Sequence, residues 1–156
     1  MIDPFLDKLD TIAHEAAHVV AMLRFGMVFK EVDVDSPDAE FAGWVIPERR
    51  DYTGWEPFQL EAECRRQAVV RRIGTLAAGQ SWDGVEALAD RPAHDKLGEA
   101  IPLLLPIWDD IVLSDAKELL AEEVNSGRYL AVVDVLTEHR RLTGEQLNAL
   151  LLEKGM

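Results

Sequence analysis

Near the start of the chain, His14-Glu15-Ala16-Ala17-His18 sets two imidazoles four residues apart, with a carboxylate beside the first. On an α-helix, residues four apart share a face, so both rings can reach one metal ion. Glu15 is turned about 100° from His14, which places its carboxylate beside the ion rather than on it. Zinc held there would act as a Lewis acid and lower the pKa of a bound water to about 7. The neighbouring carboxylate can take a proton from water and pass it to a leaving amine. Together these are the parts that peptide-bond hydrolysis needs. The competing reading is a helix whose two histidines merely sit at a polar boundary. The small residues Ala13, Ala16 and Ala17 leave room for an ion and a substrate, which favours the metal.

A catalytic zinc takes a third protein ligand and keeps a fourth position open. A glycine three residues after His18 and a histidine six after it would supply that ligand locally. Ala21 and Arg24 stand there instead. The ligand is therefore expected further along, with Asp83, Asp90, His94, Asp95 and Glu99 as candidates. Spacing alone does not choose among them.

The elements that must position these groups are legible in outline. Asp3 to Gly26 reads as a helix, with Asp3 as cap, Pro4 in the first turn and Gly26 at the end. Val28 to Asp35 alternates like a strand, and Phe41 to Ile46 forms a short second one. Ser36-Pro37-Asp38 marks a turn between them, so a small hairpin is expected. The second strand has two readings, a plain half-buried strand or an edge to which an extended substrate adds. Pro47 to Glu56 reads as loop. Helical periodicity returns from Pro57 to Ala78, with Leu60, Cys64, Ala68, Val69, Ile73 and Leu76 inward and Gly79 ending it. Gln80 to Arg91 reads as loop, and Pro92 opens a helix that Pro102 and Pro106 end or kink. Ser114 to Asn125 is helical, capped by Ser114 and stopped near Gly127, and Tyr129 to His139 is helical again. A last helix starts at Thr143, where Thr143-Gly144-Glu145-Gln146 carries a capping-box pattern. The expected fold is mainly α with a small β-hairpin.

Composition narrows the setting. The chain has 156 residues, enough for one domain over 1–156 with a substantial core. Sixteen basic against 29 acidic residues give a formal net charge of −13, which argues against nucleic acid and anionic membranes as partners. One cysteine, Cys64, allows no disulfide within the chain, and a reducing, cytoplasmic setting is expected. No secretory leader is read at the start, no apolar run reaches about 18 residues, and no nucleotide-binding P-loop is present. Cys64 is expected in the core, and Trp44, Trp55, Trp82 and Trp108 in the core or a cleft wall. Arg65-Arg66 and Arg71-Arg72 read as salt-bridging surface, with an oligomer interface as the second reading.

Four stretches, in order, resemble the peptidase domain of FtsH-type AAA zinc metalloproteases. Ala13-His14-Glu15-Ala16-Ala17-His18 is similar to that family's His-Glu-Ala-Gly-His helix. Gly43-Trp44-Val45-Ile46-Pro47, followed by Asp51-Tyr52, is similar to its Gly-Tyr-Thr strand leading to Leu-Pro and Asp-x-Tyr. Ala78-Gly79-Gln80-Ser81-Trp82-Asp83 resembles the Ala-Gly-Arg-x-Ala-Glu end of its next long helix. Leu142-Thr143-Gly144-Glu145-Gln146-Leu147 resembles the Leu-x-Gly-Glu-Glu run that opens its last helix. The departures are Ala17 for glycine, Gln80 for arginine and Asp83 for glutamate. The resemblance implies an FtsH-peptidase-like fold with zinc on His14, His18 and Asp95 and with Glu15 as general base. Asp95 is selected because Ala93-His94-Asp95-Lys96-Leu97 matches the family stretch that completes the zinc site; an alternative role for Asp95 is to cap its helix. His94 is expected to hydrogen-bond locally. These residues carry neither the motor nor the membrane segments of that family. The expected activity is ATP-independent hydrolysis of flexible peptides or unfolded protein, with homo-oligomerisation left open. Two rival readings are a non-catalytic peptide- or partner-binding domain and a regulatory protease with one dedicated substrate.

Overall fold

The computed structural model describes residues 4–35, 43–48, 51–79 and 105–156. Its first helix, α1 (Pro4–Arg24), carries the His-Glu-His motif at its middle. Ile12, Ala16, Val19 and Val20 make an apolar stripe that is at most 2% exposed. Gly26 ends the helix at φ 66°, with its N–H on the Leu23 carbonyl and the Met27 N–H on that of Met22. A left-handed residue closed by those two bonds is a Schellman stop, and glycine takes it without strain.

Strand β1 (Phe29–Asp33) follows, then β2 (Trp44–Pro47), the two paired antiparallel with Val32 opposite Val45. The turn expected at Ser36-Pro37-Asp38 and the strand positions Phe41 and Ala42 lie outside the described residues. Helix α2 (Pro57–Ala77) matches its expected span to within a residue. Gln59 reaches back to the Glu56 N–H at 2.8 Å, and Gly79 follows at φ 66°. Cys64, Val69 and Ile73 are buried as expected. Tyr52 and Trp55, ring centroids 5.0 Å apart, form a small second cluster with Cys64.

The next helix requires a correction. α3 runs Leu105–Asn125 with Pro106 within it, so the helix expected from Ser114 is already formed well before that residue. Ser114 is accordingly an exposed mid-helix residue and not a cap. The helix expected from Pro92 lies outside the described residues. α4 (Arg128–His139) follows Gly127, and α5 (Gly144–Glu153) closes the chain. The capping box of α5 is present: Thr143 Oγ1 accepts from Gln146 N at 3.1 Å and Gln146 Oε1 accepts from Thr143 N at 2.9 Å.

The hairpin also needs enlarging. Arg141–Thr143 forms β3, which pairs antiparallel with β1, so the sheet has three strands in the order β2-β1-β3. Three residues are too few for alternation to announce a strand. The fold is thus mainly α with a small antiparallel sheet. α1 lies at its centre, packing on α2, α3, α4 and both β1 and β2. None of the described helices is long and apolar enough to cross a membrane.

Candidate metal centre

The buried stripe of α1 fixes which way its remaining face looks. With Ile12, Ala16 and Val19 committed to the core, His14 and His18 stand half-buried, one turn apart, on the side facing α2. Their rings meet edge to face with centroids 4.7 Å apart, and a hydrogen bond joins their Nε2 atoms at 3.0 Å. Two nitrogens each about 2.0–2.1 Å from a tetrahedral zinc stand roughly 3.3 Å apart, so this spacing is near what an ion needs.

α2 sets the protonation of one ring. His18 Nδ1 lies 2.5 Å from the Val70 carbonyl oxygen. A carbonyl only accepts, so Nδ1 carries the hydrogen and neutral His18 keeps its lone pair on Nε2. Metal-binding histidines are oriented in this way by a partner on their other nitrogen.

One turn further along α2, Gly74 faces both rings. A Cβ built there would lie 2.5 Å from His18 Nε2 and 2.8 Å from His14 Nε2. The missing side chain is what lets both rings pack this closely on α2. Two converging imidazoles, one with its Nδ1 hydrogen fixed, are two donors of the kind zinc takes, and a third would have to come from elsewhere.

Glu15 is 6% exposed and lies on the flank of α1 that meets the sheet. Gly43, just ahead of β2, is the contact: a Cβ there would come within 2.9 Å of Thr11 Cγ2 and 3.1 Å of Glu15 Cγ. The motif turn is therefore approached by a glycine on each side, Gly74 at the imidazoles and Gly43 at the carboxylate. On a third side, Tyr129 of α4 donates its hydroxyl to the Ala13 carbonyl at 3.2 Å, and burial raises its phenol above the ordinary value of 10.0.

The structure brings His14 and His18 together and turns Glu15, next to His14 in sequence, toward the sheet. Asp83, Asp90, His94, Asp95 and Glu99 lie outside the described residues, as do Gln80 and Trp82. Among the described residues, no group of three His, Cys, Asp or Glu side chains is placed to hold an ion. Sequence reasoning missed Val70 and Gly74. The one signal for Gly74 was a glycine interrupting an otherwise regular helix, which often marks close packing. Of the arginine pairs, Arg65 meets Asp115 at 2.6 and 3.0 Å and Arg66 meets Glu63 at 3.3 Å, while Arg71 and Arg72 are half-buried. Arg65 and Asp115 line a groove of about 470 Å³ with Phe25, Phe58 and Leu119, to which neither histidine contributes.

Compared with protein-family models and with curated proteins, the sequence matches none.

Proposed function

We propose that this chain is a zinc-dependent metallopeptidase of the FtsH-peptidase type, acting without ATP on flexible or unfolded polypeptide. The observation that carries this reading is the pair of Nε2 atoms 3.0 Å apart on α1, with His18 held through Nδ1 by the Val70 carbonyl. His14 and His18 would hold the ion, and Asp95 is proposed as third ligand on the resemblance alone. Bound zinc supplies Lewis acidity toward the scissile carbonyl and toward water. Glu15 takes the proton of the attacking water and returns it to the leaving amine.

Substrate positioning falls to the sheet. In the order β2-β1-β3, β2 has no described strand on its outer side. An extended peptide can pair with such an edge through its backbone, with little dependence on side chains. Gly43 brings the start of this strand against Glu15, so an edge-bound peptide would be presented beside the general base.

The test is elemental analysis of the purified protein together with cleavage of unfolded casein and a peptide library. One zinc per chain and chelator-sensitive cleavage are expected. Absence of metal after zinc reconstitution would sink the site. Zinc without cleavage of any peptide would favour the non-catalytic binding domain.

A further inference from the structure

We infer that Gly74 determines whether the site can hold a metal: only a residue without a side chain at this one position of α2 lets the two imidazoles take up their converging arrangement against the helix. The inference rests on the metal site proposed above and adds a residue that belongs to neither the ligands nor the base. Its basis is a triple approach. A Cβ at position 74 would stand 2.5 Å from His18 Nε2, 2.7 Å from His18 Cε1 and 2.8 Å from His14 Nε2. Real Cβ atoms do not come this close, so either the imidazoles or α2 must move. Neither movement is neutral for the site. Swinging His18 away gives up its bond to the Val70 carbonyl. Backing α2 away removes that same carbonyl from the ring. A methyl left in place contends with an ion for the nitrogens themselves, because zinc sits about 2.0–2.1 Å from each.

Local preference opposes this use of glycine. In a helix interior glycine is disfavoured relative to alanine, so Gly74→Ala should stabilise α2 if the position had no neighbours to avoid. The described backbone does not require glycine there either, since position 74 is absent from the residues of positive φ. The residue is explained by the close approach of two rings.

The experiment has two arms. In the first, zinc affinity of wild type and Gly74→Ala is measured by competition with a chromogenic chelator. The expected result is a cooperatively folded variant that binds zinc about tenfold or more weakly, the scale seen when a metal-bound histidine loses its orienting partner. Equal affinity would overturn the inference while leaving the metal site standing. A wild-type protein that takes up no zinc would overturn both. The second arm needs no metal. Thermal melts in chelator compare Gly74→Ala in the wild-type background and in His18→Ala, where two of the three nearest atoms are gone. The substitution should lower Tm in the first background and raise it in the second. A rise in both would show that the rings do not contend for the space. Should Gly74→Ala fail to fold, the double variant is expected to recover folding, and its failure to do so would equally overturn the inference.

Discussion

At the scale of single residues, the candidate site divides between groups that would touch the chemistry and groups that aim them. Glu15 belongs to the first kind. Its carboxylate is off the face shared by His14 and His18, so Glu15→Gln should retain zinc and fold while cleavage falls by about a hundredfold or more. Equal kcat for variant and wild type would remove Glu15 from the reaction. Tyr129 belongs to the second kind, since its hydroxyl holds the Ala13 carbonyl one residue before His14. Its phenol is raised by burial. The unfolded chain would ionise first, so the stability gained from the neutral phenol is complete below pH 10 and is lost as pH rises through the folded value. Tyr129→Phe should cost about 1 kcal/mol at neutral pH, the usual worth of one hydrogen bond. It should also flatten the alkaline loss of stability. Urea melts at neutral and at strongly alkaline pH check both parts. His14, Glu15 and His18 were legible in the sequence because helical spacing is local. Val70 and Gly74 were not, because their roles exist only once α2 lies against α1.

At the scale of elements, terminal signals read well and non-local pairing read poorly. The stops at Gly26 and Gly79 and the cap at Thr143 each act within a few residues, and each stands where expected. Strand β3 depends on β1, over a hundred residues earlier, and no local pattern announced it. A further feature without a local signal is the carboxylate that joins three helices. Glu123 of α3 is 1% exposed and accepts from Arg128 of α4 at 2.5 and 2.6 Å, with Arg24 of α1 at 3.5 Å. Its two sides are unequal. Arg128→Ala leaves a buried carboxylate with only the longer Arg24 contact, and should cost about 3 kcal/mol. Glu123→Gln removes the buried charge and leaves arginines that can turn to water, and should cost about 1 kcal/mol. Denaturant unfolding of the two variants reads the difference, and a reversed order would mean the carboxylate is solvated as the native structure does not suggest.

At the scale of the whole molecule, a metal held as proposed would tie together parts of the chain far apart in sequence. His14 and His18 lie on the central helix, and His18 is already joined to α2 through Val70. The proposed third ligand, Asp95, belongs to a stretch beyond α2, so an ion on all three would connect that stretch to the core. Two histidines alone would hold zinc weakly, and the carboxylate should therefore supply much of the affinity. Because the unfolded chain offers no such arrangement, binding favours the folded state. A hundredfold excess of free zinc over its dissociation constant should stabilise the protein by about 2.7 kcal/mol. Asp95→Ala should erase most of that gain. Asp83→Ala, Asp90→Ala and Glu99→Ala should keep the zinc-dependent gain in full. Thermal melts of the four variants, each with zinc and with chelator, make the comparison. If Asp95→Ala keeps the whole shift while Asp83→Ala or Asp90→Ala loses it, the third ligand lies earlier, and the resemblance is out of register between Gln80 and Arg91.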